Sequence, residues 1–162
     1  MPPREQIAED LYTGLILIWR GEFGMAFGKS GIFSWKSKEE QKREQDEYAA
    51  WAFPYGQNQR DILEALLRGV FPKINIQIAL ISFLTCKELY EKALKRSGSR
   101  DEAKAELFNK QSSYKNIIKK KDMPMYVALV LADEEIDEQC VYPTADVILT
   151  NARELEGLHK GR

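Results

Sequence analysis

The hydrophobic positions of this chain recur mostly at spacings of three and four, the pattern of helices that bury one stripe and leave the rest in water. Ile7, Ala8, Leu11, Tyr12, Leu15, Ile16, Ile18 and Trp19 predict a first helix near 4–20, apolar nearly all round in its later turns. From Lys36 to Glu47 the residues are almost all charged or amide-bearing, and the chain then turns apolar at Tyr48, Ala49, Ala50 and Trp51. This predicts a solvent-facing helix pinned at its end by Trp51 and Phe53. After the turn Pro54-Tyr55-Gly56, Asn58 is placed to cap a helix, with Asp61 in its first turn offsetting the dipole. Ile62, Leu63, Leu66, Leu67, Val70 and Phe71 form a double row along that helix, over 59–71, and Pro72 stops it.

Between Ile74 and Leu84 the pattern first alternates and then becomes continuously apolar, while Leu89, Tyr90, Ala93 and Leu94 downstream are helical. One long buried helix over 75–96 accounts for both halves. Ser97-Gly98-Ser99 closes it, and Ser99-Arg100-Asp101-Glu102 has the form of a capping box opening the next helix. That helix is expected to carry Ala103, Leu107, Tyr114, Ile117 and Ile118 and to end at Lys119-Lys120-Lys121, where cations offset the dipole. Tyr126–Leu131 reads as a helix, and Asp133-Glu134-Glu135 as the charged start of a further helical turn. Thr144 caps a last helix over about 145–158, followed by a frayed tail at 159–162. The fold class expected is mainly α. Residues 1–162 form a single-domain bundle of about six helices, packed around the 4–20, 59–71 and 75–96 helices. A minor two-stranded element from 74–84 and 126–131 is the alternative.

The composition, 44% hydrophobic and 30% charged over 162 residues, suits a globular domain and changes little in this picture. The charge distribution adds more. The formal net charge is only −1, yet residues 61–122 hold 13 Lys/Arg against 8 Asp/Glu, giving +5. Residues 123–162 hold 3 against 8, giving −5. Segments of opposite sign often fold against each other or against a symmetry mate, although the commoner outcome is that both are solvated faces. Cys86 and Cys140 lie among apolar neighbours and do not form a disulfide framework. With the polar start Met1-Pro2-Pro3-Arg4-Glu5, they make the cytoplasm the expected compartment. Apolar runs such as Leu15–Trp19 and Ile78–Ile81 are too short to span a bilayer, so no membrane partner is expected.

The candidate chemistry begins at Phe23–Gly31, where four glycines within eleven residues (21, 24, 28 and 31) alternate with phenylalanines. Gly24, Gly28, Lys29 and Ser30 approach the phosphate-binding pattern G-x-x-x-x-G-K-[ST] but are one residue short, which removes a backbone N–H from the anion cradle. Leu129-Val130-Leu131-Ala132-Asp133 resembles a strand ending in a magnesium ligand and would complete such a site. The competing reading is a loop over 21–35 whose glycines let Phe23, Phe27, Phe33 and Trp35 pack on the core. His159 is the only histidine and falls in the tail, which disfavours a histidine-based triad or a multi-histidine zinc site. The acidic run Asp133, Glu134, Glu135, Asp137 and Glu138 offers oxygens to a divalent cation but lacks the glycine of a calcium loop, so no metal site is assigned.

Lys110, Lys115, Lys119, Lys120 and Lys121 form a basic stripe able to contact phosphates, which nominates nucleic-acid binding as a minor alternative. Trp35, Trp51, Phe53 and Tyr55 bracket the charged helix; exposed, they would anchor a partner, and buried, they are core. No stretch resembles a known family. The expected function is non-catalytic protein–protein interaction, with a second copy of the chain or another protein as partner, and no cofactor. A phosphate- or nucleotide-binding enzyme or sensor using the glycine loop is the first alternative.

Overall fold

The computed structural model describes residues 37–109 and 118–159, and every described regular element is helical. Among the described residues there are six α-helices, α1 (Lys38–Ala52), α2 (Gln57–Val70), α3 (Ile76–Ser97), α4 (Arg100–Asn109), α5 (Met123–Glu134) and α6 (Ala145–His159). A 3-10 turn, Lys120–Asp122, leads into α5. No strand occurs among the described residues, so 74–84 and 126–131 are helical rather than paired. The 4–20 helix and the 21–35 loop lie outside the described residues.

The chain divides into two compact units, Met1–Ile62 and Leu63–Arg162. In the first, Ser37 caps α1 by accepting from Glu40 N at 3.1 Å. Nearly every position in the first half of α1 is polar, and it turns inward only at Ala49, Ala52 and Phe53, which are buried. Gly56, at φ +84°, makes the turn that follows and donates its N–H to the Phe53 carbonyl. Helix α2 then starts at Gln57, one residue before the expected cap at Asn58. Gln57 Nε2 donates to Asp61 Oδ1 at 2.8 Å, and Gln59 Oε1 accepts from Tyr55 N at 3.0 Å.

In the second unit α2 continues with Leu63, Leu67 and Val70 buried, followed by buried Phe71. Asn75 caps α3, accepting from Gln77 N (2.8 Å) and Ile78 N (3.4 Å). An unbroken buried run, Ala79–Lys87, makes α3 the inner wall. Gly98, at φ +73°, ends it in the left-handed cap. Helix α4 packs back on α3, with an Arg96–Glu106 ion pair between them. Helix α5, apolar nearly all round, packs on α3, α4 and α6, as such a composition requires. Phe71 and Tyr126 stack there, centroids 4.6 Å apart.

Three expectations are corrected. The helix expected to run from Ser99 to Lys121 is described as α4 over Arg100–Asn109, with 110–117 outside the described residues; Lys119-Lys120-Lys121 are not its last turn but lie at and in the 3-10 turn that leads into α5. Pro124, in the first turn of α5, is tolerated only where its missing N–H is not needed, and this fixes the start. Asp133, Glu134 and Glu135 do not open a helical turn; they close α5. His159 is not a solvated tail residue: it ends α6, half-buried, with its ring stacked on Phe108 at 4.6 Å.

Candidate functional site

The second unit places its most consequential polar groups at the C-terminal end of α5. Asp133, in the last turn of that helix, is buried with the Lys87 side chain of α3. Lys87 Nζ lies 3.3 Å from Asp133 Oδ2, and Tyr142 Oη donates to Asp133 Oδ1 at 2.6 Å. Each carboxylate oxygen thus has its own partner, one cationic and one hydroxyl. This is the arrangement that makes a buried carboxylate tolerable and fixes its geometry. Tyr142 belongs to the 135–144 connection, so the cluster ties that connection to the two inner helices.

The same connection carries Cys140, buried, at φ +56°, a left-handed conformation uncommon outside glycine. Its N–H donates to the Asp137 carbonyl at 3.0 Å, and its thiol lies 3.8 Å from the Glu138 carbonyl. Burial raises the thiol's pKa, and the Asp137 and Asp133 carboxylates raise it further. Burial pushes the Cys86 thiol up as well. Both sulfurs are therefore held as neutral thiols, the poorly nucleophilic form. Tyr90 is buried near Glu134, and desolvation followed by that carboxylate pushes its pKa up to about 12.

The ends of α5 carry opposite charge. Lys119, Lys120 and Lys121 are exposed immediately before it, with Asp122 buried at the cap position. After it, Glu134 pairs with Arg100 at 3.1 Å, while Glu135, Asp137 and Glu138 are exposed. Val141 is 73% exposed just beyond these acids, and Val147, in the first turn of α6 beside Asp146, is 45% exposed. The Lys87–Asp133 and Arg100–Glu134 pairs join the basic block 61–122 to the acidic block 123–162 within the unit.

Of the residues singled out from the sequence, Gly24, Gly28, Lys29, Ser30, Trp35 and Lys115 lie outside the described residues. The run ending in Asp133 is a helix rather than a strand. Phe53 is buried, Trp51 is half-buried in a tilted pair with Tyr48, and Tyr55 is 40% exposed. An open cleft along α1 is lined by Glu39, Lys42, Arg43, Asp46 and Glu47, whose mixed signs select neither anions nor cations. No group of three metal-ligating side chains occurs among the described residues, and no described helix is long and apolar enough to cross a membrane. The sequence reading missed Lys87 and Tyr142. The one available signal was a lysine directly following the apolar run Ile78–Cys86. The chain matches no protein-family model, no curated protein and no solved structure.

Proposed function

We propose that this protein acts through protein–protein contact, by self-association, rather than as a catalyst. The supporting observation is the surface around the α5–α6 connection, where Val141 and Val147 stand in water among Glu138 and Asp146. Exposed apolar side chains within a charged rim have the make-up of an interface core with its border. Multi-angle light scattering over a concentration series at low and high salt tests the reading. A species larger than the monomer, weakened by salt, is expected. A monomer at every concentration, with no protein retained in a pull-down, counts against it.

A second reading, nucleic-acid binding through the basic stripe, draws support from the exposure of Lys119, Lys120 and Lys121. Three phosphate contacts would give a log–log salt slope of about −2.7 on duplex DNA. Salt-independent retention, or none, removes it.

A further inference from the structure

Helix α5 has its flanking charges the wrong way round. A helix N-terminus carries partial positive charge and its C-terminus partial negative charge, so acids stabilise the start and bases the end. Here Lys119, Lys120 and Lys121 precede the start, and Glu134, Glu135, Asp137 and Glu138 surround the end. Within the unit, Asp122 at the cap position and Arg100 on Glu134 offset only part of this. The three lysines and the Glu135 and Glu138 carboxylates make no ion pair among the described residues. Twelve residues at 1.5 Å per residue separate the two charge clusters by about 18 Å. Between them Met125, Leu131 and Ala132 are the half-buried positions of a helix otherwise almost enclosed, and Met125 and Ala132, seven residues apart, share one helical face.

We infer that the occupant of this surface is a second copy of the chain, in antiparallel two-fold pairing. The Lys119–Lys121 end of each copy lies against the Glu135–Glu138 end of the other. The inference rests on the self-association reading and names the partner and the register within it. A two-fold axis across the middle of α5 brings each basic end to an acidic one twice over, which is the self-complementarity that a closed dimer requires. It also sets each helix's unfavourable flanking charge against an opposite one, so the same residues that weaken the isolated helix favour the pair. Val141, beside the acidic end, supplies exposed apolar area to the contact.

Charge exchange on the full chain tests this. Lys120→Glu/Lys121→Glu forms one variant and Glu135→Lys/Glu138→Lys the other; all four side chains are exposed. Like charges facing each other should raise the dimer dissociation constant of either variant alone by about tenfold or more. An equimolar mixture has both contacts complementary again and should return to the dimer mass, as should a chain carrying all four substitutions. Thermal melts no lower than the wild type's establish that the variants fold. If the wild type is monomeric throughout, the self-association reading fails. If the wild type associates and each variant alone associates equally well, self-association stands and this pairing is overturned. A mass that grows past the dimer means open head-to-tail chains and overturns the two-fold closure. Association abolished by nuclease assigns the lysines to nucleic acid and overturns it too.

Discussion

Asp133 shows how much one side chain can fix. Its two oxygens meet Lys87 and Tyr142 in a buried setting, so removing its charge leaves a buried ammonium with a poorer partner. Asp133→Asn is expected to lower unfolding free energy by about 3 kcal/mol, the range for breaking a buried pair. Tyr142→Phe, which deletes one hydrogen bond to a charged group, should cost about 2 kcal/mol. Urea denaturation midpoints compare the two, and equal effects would show that the ion pair contributes nothing beyond the hydroxyl. The tyrosines give a pH test. Desolvation pushes Tyr126 up to about 12, with a Ser82 hydrogen bond pulling the other way, and Tyr90 also reaches about 12. A pKa raised in the folded state favours the neutral phenol there. Stability from these groups is therefore complete below pH 10 and lost as pH climbs from 10 toward 12. Ultraviolet titration of the seven tyrosines should show a late-ionising group that merges with the rest in urea. None of this was legible in the sequence, because pairing between residues 46 positions apart has no local pattern. Asp133 drew notice only as the end of an apolar run.

At the scale of elements the sequence was more informative, and unevenly so. The double row of α2 and the long apolar face of α3 fixed both helices, since periodicity over many turns integrates many weak preferences. Caps read as single residues held at Ser99 and Thr144, though not at Asn58, which lies inside α2. Ser99 Oγ accepts from Glu102 N at 3.4 Å, and Thr144 Oγ1 accepts from Val147 N at 3.3 Å. The misplacement of Lys119–Lys121 has a clear cause: cations are favoured in last turns but do not by themselves mark one, and Pro124, three residues on, opens a new helix. Gly98 offers a test of the element boundary. At φ +73° any side chain is strained, although open space surrounds its Cα. Gly98→Ala should therefore destabilise by about 1 kcal/mol through backbone conformation alone. An unchanged urea midpoint would mean that the α3–α4 link relaxes freely. Asn75→Ala, which removes the α3 cap, should lose about 1 kcal/mol by the same measurement.

For the whole molecule the sequence conveyed that charge is segregated, and the structure puts part of it, Lys119–Lys121 and the acids from Glu134 to Glu138, at the two ends of one buried helix. Part of it is consumed by Lys87–Asp133 and Arg100–Glu134, the internal contact that opposite blocks were expected to make. On the self-association proposed above, the exposed remainder would make salt a lever on assembly: above the concentration where the screening length drops to a few ångströms, attraction between copies should fade while the internal buried pair persists. Light scattering and circular dichroism on the same samples would separate the two.

The two thiols extend this to motion. Cys86 lies in the middle of the α3 inner wall, whereas Cys140 is buried within the short connection between α5 and α6. A thiol-specific reagent thus meets two clocks in one chain. Cys140 should react whenever that connection lifts, at a rate nearly independent of dilute urea. Cys86 should wait for the helices to part, and its rate should climb with urea as steeply as global unfolding does. Because Tyr142 clamps the connection to Asp133, Tyr142→Phe should quicken the Cys140 clock and leave the ratio of Cys86 reaction to global opening untouched.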